Sequence, residues 1–157
     1  MRRFLSATAL VLTITVFAAS CGGSDANGAE SDAVPGVDVT AQTEGTGTIR
    51  VTNTELGNVL TTDEGYTLYY FGLDRAGVST CDDSCTILWP PYQPSEVSGD
   101  LQDRLTLIDR GDGSQQAAVD GKPVYLYTGD VLPGDTQGHG REGIWVAVGA
   151  DGTAIAQ

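Results

Sequence analysis

Gly65-Tyr66-Thr67-Leu68-Tyr69-Tyr70-Phe71-Gly72-Leu73-Asp74 is answered 56 positions later by Gly121-Lys122-Pro123-Val124-Tyr125-Leu126-Tyr127-Thr128-Gly129-Asp130. Gly, Tyr, a second aromatic and Asp keep the same spacing in both stretches. A tryptophan, Trp89 or Trp145, follows 15 positions after each Asp. An internal repeat divides the chain before any residue is given a task. Residues present in both copies point to architecture; those present in one copy are where chemistry is sought.

Each stretch reads as the second strand of a β-hairpin. Val59–Thr62 leads into it through Asp63-Glu64-Gly65, and Gln115–Val119 through Asp120-Gly121. Asp-Gly between β-prone runs is a strong hairpin signal. Side chains alternate along a strand, so Tyr69 and Phe71 share one face while Leu68 and Tyr70 share the other. Tyr125 and Tyr127, against Val124 and Leu126, repeat the pattern. Apolar residues on both faces predict an inner strand covered on two sides. Trp89 and Trp145 each begin or continue one more short strand, which Pro90 and Pro91 are expected to end in the first copy, because proline cannot donate to a ladder.

Repeat one spans about 49–91 and repeat two about 105–147. After the leader no helical period is sustained, and 21 glycines with many turn residues favour strands. The expected fold over 48–157 is all-β: two tandem repeats forming one compact antiparallel sandwich or barrel with a pseudo-twofold relation. About 110 residues suffice for a single core of modest stability.

Upstream, Arg2 and Arg3 precede an apolar run from Phe4 to Phe17, which closes in Ala18-Ala19-Ser20 before Cys21. A charged start, a short apolar middle and small residues at the end read as a secretory signal peptide over 1–20. The middle falls short of the roughly 20 apolar residues of a spanning helix. The segment resembles a bacterial lipoprotein signal, with Ala18 where leucine is commoner. That resemblance implies that Cys21 becomes the acylated N-terminus, palmitate included, and that more than one acyl chain gives durable attachment. The stretch 21–47 is poor in large apolar residues and reads as a flexible tether, with a coil reach of about 28 Å.

Once the leader's two arginines are removed, six basic residues face 21 acidic ones, a net charge of −15. Such a charge disfavours nucleic acid and anionic lipid headgroups as partners. The expected partner is the membrane, reached through the lipid anchor; the charge is also compatible with divalent cations or a basic protein, and the identity of any protein or small-molecule partner is unknown from the sequence.

Tyr-x-(Phe/Trp/Tyr)-x-x-Asp twice, with Cys81-x-x-x-Cys85-x-x-x-Trp89-Pro90-Pro91 after the first, resembles the secreted-repeat bacterial lipoproteins of unknown function. The resemblance covers 48–152 and rests on Tyr69, Phe71, Asp74, Trp89, Tyr125, Tyr127, Asp130 and Trp145. It implies architecture and an exported location, and no activity.

The remaining candidates are few. Asp74 and Asp130, each just past a strand end, are expected to accept backbone N–H groups of the following loop; a calcium-dependent binding module built on them and the acidic loops is an alternative. Cys81 and Cys85 occur in one copy only and are spaced for a disulfide. A redox or electron-transfer accessory using them is a second alternative, although Asp82 and Asp83 disfavour a reactive thiolate. His139, the sole histidine, is a weak metal candidate in an exposed loop. Gly138-x-Gly140-x-x-Gly143 fits the dinucleotide fingerprint as a string but precedes a strand where a helix is required. Arg110-Gly111-Asp112 reads as turn chemistry. The overall expectation is a non-catalytic binding or scaffolding protein without cofactor, at the outer face of the cytoplasmic membrane.

Overall fold

The computed structural model describes residues 45–157. The leader 1–20, Cys21 and nearly all of the tether lie outside the described residues. No helix among the described residues is long and apolar enough to cross a membrane.

The described residues are all-β apart from one short α-helix and two 3-10 turns, Gln102–Arg104 and Arg141–Gly143. In chain order the elements are β1 (Thr48–Thr54), β2 (Gly57–Thr62), β3 (Tyr69–Phe71), α1 (Ser84–Leu88), β4 (Ser98–Gly99), β5 (Leu105–Asp109), β6 (Gln115–Val119), β7 (Lys122–Pro123) and β8 (Trp145–Ala147). They make three small sheets, ordered β2-β1-β4, β3-β8 and β5-β6-β7, and close no barrel. Every pairing is antiparallel except β1 with β4, where the chain leaving repeat one returns alongside its own first strand.

The hairpins form where the turn residues place them. Asp120 (φ 50°) and Gly121 (φ 74°) are both left-handed, the geometry of a two-residue turn matched to strand twist. The first copy takes a three-residue loop closed by Gly65 at φ 94°. The constant 56-residue offset therefore hides two compensating one-residue changes. Ile49 opposite Thr62 is answered by Leu105 opposite Val119, so β2 and β6 correspond at an offset of 57 while the motif strands correspond at 56.

The terminal strands are exchanged. β8 of repeat two pairs with β3 of repeat one, Tyr69 opposite Ala147 and Phe71 opposite Trp145. The 88–92 segment of repeat one runs beside 124–128 of repeat two, through Thr128 N–H to Leu88 O (3.1 Å), Leu126 N–H to Pro90 O (2.9 Å) and Tyr92 N–H to Val124 O (3.1 Å). Pro90 and Pro91 therefore do not end the pairing: Pro90 contributes only its carbonyl, and the donors are Leu126 and Thr128 of the neighbouring segment and Tyr92 just past the prolines.

Each half also closes a ring of three backbone hydrogen bonds. Leu60 donates to Val148, Val148 to Leu68, and Leu68 back to Leu60; Ala117, Tyr92 and Val124 do the same in the other half. Both rings draw one member from the other repeat.

The motif strands separate two cores, as their alternation predicts. Leu68, Tyr70, Val124 and Leu126 pack with Ile49, Leu60, Leu105 and Val119. Tyr69, Tyr125 and Tyr127 pack on the opposite side with Trp89, Trp145 and Cys81.

Candidate functional site

Tyr69 and Tyr125 face each other on adjacent backbones, each N–H donating to the other's carbonyl at 2.9 Å. Both rings are fully buried. Each hydroxyl donates to the motif carboxylate of the other repeat: Tyr69 Oη to Asp130 Oδ2 at 2.6 Å, and Tyr125 Oη to Asp74 Oδ2 at 2.6 Å. The second carboxylate oxygens hold their own loops. Asp74 Oδ1 accepts Thr80 N–H (2.7 Å) and Thr80 Oγ1–H (2.8 Å), and Asp130 Oδ1 accepts Gln137 N–H (2.8 Å). The loop-bonding role expected of both aspartates is present, and the tyrosine across the axis is an additional partner. Asp74 and Asp130 share no hydrogen bond; each stands with the opposite tyrosine.

Behind the tyrosines lies a ladder of rings. Phe71 stacks on Trp145 (centroids 4.3 Å), Trp145 on Trp89 (3.8 Å, planes 4° apart), and Trp89 on Tyr127 (4.4 Å). Tyr69 meets Trp89 edge-on at 5.6 Å, and Tyr125 meets Trp145 edge-on at 5.3 Å. Stacked and T-shaped pairs each contribute about 0.5–1.5 kcal/mol beyond the area they bury. All eight motif residues thus meet at one place, paired across the repeats. Gly138 permits this closeness: a Cβ there would fall 2.7 Å from the Tyr69 ring and 3.0 Å from Trp89. Its N–H also donates to Tyr69 Oη at 3.3 Å.

The two carboxylates differ in surroundings. Asp130 is 1 % exposed. Burial pushes its carboxyl up to about 6, against the pull of the Tyr69 hydroxyl and the Gln137 N–H. Burial likewise raises the Tyr69 and Tyr125 phenols, reinforced by the carboxylate beside each. Asp74 is half-buried, and on its side sits a cation that the sequence reading missed. Arg110 is 9 % exposed. Its Nη1 donates to Ser79 Oγ and Gln116 Oε1, both at 2.6 Å, and its Nη2 to Cys81 O at 2.7 Å. Ser79 Oγ lies 2.7 Å from Tyr125 Oη. Because Arg110 can only donate and Tyr125 Oη donates to Asp74 Oδ2, the protons run one way, Arg110 to Ser79 to Tyr125 to Asp74. Arg110-Gly111-Asp112 is therefore not a displayed tripeptide, since its arginine lies inside the protein. The available sequence signal was slight: Gln116 is the second of two glutamines that open β6, next to its apolar part.

Cys81 and Cys85 are joined, their Cα atoms 5.3 Å apart. Cys81 is fully buried against Trp89. The bridge ties the loop after Asp74 to α1, which delivers Trp89 to the ladder. His139 is half-buried, not exposed; its Nδ1 accepts the Ala147 N–H at 3.2 Å. At the matching position of the first copy stands Pro91, which has no N–H to satisfy. Among the described residues no group of three or more His, Cys, Asp or Glu side chains gathers to hold a metal.

A duplicated β-protein whose repeated residues bind its halves together is the class defined by this fold and centre. A family model described as a secreted repeat of unknown function matches residues 50–93 and again 106–149. The chain belongs to that family. No curated protein and no solved structure matches it.

Proposed function

We propose that the protein is a non-catalytic binding or scaffolding module, held at the outer face of the cytoplasmic membrane by lipid on Cys21. The observation that carries this reading is the contrast between engaged motif residues and exposed apolar ones. The tyrosines and carboxylates common to both copies are committed to each other. Large apolar side chains instead stand out at positions that differ between the copies: Ile87 is 77 % exposed, Leu132 64 % and Leu73 62 %. Leu88, beside Ile87, borders the 128–132 segment through the Thr128–Leu88 bond, and that segment presents Val131 and Leu132. Exposed apolar patches on a soluble domain mark interaction surfaces.

Two variants test the halves of the proposal separately. Cys21→Ser should release the chain from membranes into the medium without changing its melting temperature; retention on the membrane would refute the lipid anchor. Ile87→Asp with Leu132→Asp should abolish in-cell cross-linking to a partner at an unchanged melting temperature. Cross-linking that survives this pair would refute the binding face.

A further inference from the structure

We propose that the aromatic centre is a one-electron relay, in which the stacked tryptophans carry an oxidising equivalent inward and a tyrosine–carboxylate pair holds it as a neutral tyrosyl radical. The inference goes beyond the binding role and uses none of the exposed apolar residues.

The geometry supplies each requirement. Trp145 and Trp89 are in ring-to-ring contact with centroids 3.8 Å apart, so electron exchange between them needs no intervening group. Both are almost wholly buried, at 1 % and 3 % exposure. One end of the ladder reaches the surface at half-buried Phe71. That ring lines a small cleft of about 140 Å3 with Asp74, Lys122 and Val146, where a small outer-sphere oxidant lies one ring from Trp145. At the other end Arg141 sits over Tyr127 at 5.0 Å, and a cation there disfavours a hole on that ring. Tyr69 and Tyr125 stand edge-on to the tryptophans, each with a carboxylate oxygen 2.6 Å from its hydroxyl.

The second feature matters because a phenol becomes a far stronger acid when it loses an electron, and a buried tyrosyl is stable only if its proton has somewhere to go. The step balances as follows. An outer-sphere one-electron oxidant takes an electron from Trp145 or Trp89 and is itself reduced. The tryptophan recovers the electron from Tyr69, whose O–H bond breaks as the proton moves to Asp130 Oδ2. The products are a neutral tyrosyl, a neutral carboxylic acid, an intact tryptophan and the reduced oxidant. Tyr125 and Asp74 permit the same step.

The full chain, oxidised by photogenerated ruthenium(III) tris-bipyridine and frozen for electron paramagnetic resonance, tests this. A tyrosyl signal is expected from the natural protein. In Tyr69→Phe/Tyr125→Phe it should be lost and replaced by a tryptophanyl signal. An undiminished tyrosyl signal in the double variant would overturn the proposal, because the hole would then sit on other tyrosines. If that variant does not fold, a ring-fluorinated tyrosine introduced singly in place of Tyr69, and in a second sample in place of Tyr125, gives the answer in an otherwise natural chain. Fluorine hyperfine splitting in either sample is expected; its absence from both would equally overturn the relay. Neither outcome bears on Cys21 or on the Ile87–Leu132 face.

Discussion

The two tyrosine–carboxylate pairs are built from the same spacing, yet they rest on different supports. Tyr69 and Asp130 form a sealed pair, backed by two backbone amides and without a cation. Tyr125 is as buried as Tyr69, but its partner Asp74 is only half-buried and stands at the end of a donor chain that begins at Arg110. Duplication therefore preserved the contact across the axis while each copy acquired its own means of stabilising a carboxylate. The sealed side relies on backbone geometry and tolerates a partly protonated acid. The open side relies on a buried guanidinium, a serine and a disulfide-bridged loop, none of which the other half contains.

The largest effect expected from breaking this contrast is at Arg110. Arg110→Leu removes the donor to Ser79, Gln116 and Cys81 at once, and each neutral buried acceptor left without a partner costs about 1–3 kcal/mol. Chemical denaturation should show that loss, and hydrogen exchange should place it first in the 79–89 loop.

Next come the tyrosines. Tyr69→Phe leaves a carboxylate oxygen of Asp130 buried and unpaired, costing about 2–3 kcal/mol. Tyr125→Phe exposes the half-buried Asp74 to water instead and should cost about 1 kcal/mol. Equal losses in the two melts would refute the distinction between sealed and open pairs.

Reducing Cys81–Cys85, a bridge that only one half has, should cost about 2 kcal/mol on the loop-entropy estimate. The protection lost should be confined to α1 and the segment before it.

The smallest effect is on pH dependence. Asp130, held at about 6 against an ordinary 3.8, binds its proton more tightly in the folded than in the unfolded chain. Its contribution to stability is fully present below about pH 4 and is lost as the pH rises through about 6; lowering the pH from about 7 to about 5 restores about 1 kcal/mol. Asp112, Asp120 and Asp151 are shifted downward by their hydrogen bonds. They act in the opposite sense, losing stability only as the pH falls towards and below the ordinary carboxylate range. Asp130→Asn should flatten the rise between neutral and mildly acidic pH in a series of thermal melts.

Much of this was legible in the residues. Alternation along Leu68–Phe71 and Val124–Tyr127 placed each side chain on the correct one of two cores, and Asp120-Gly121 specified its own turn. Cys21 and the tether as far as residue 44 lie outside the described residues. The exchange of terminal strands was not legible, because a short run such as Trp145-Val146-Ala147 carries no mark of which copy it will pair with. Only the register, Tyr69 opposite Ala147, reveals it. Pro90 and Pro91 misled for a related reason: proline's missing donor matters only where the ladder asks that residue to donate. Arg110 escaped notice because a turn rich in Gly and Asp normally displays its side chains, and nothing local shows that Cys81 folds over this one.

Because β3 pairs with β8, and 88–92 with 124–128, neither unit completes its own sheet. A polypeptide cut to one such unit would leave its last strand without a mate. It would present to solvent the row of N–H and C=O groups that the other unit now covers, the kind of edge on which chains associate.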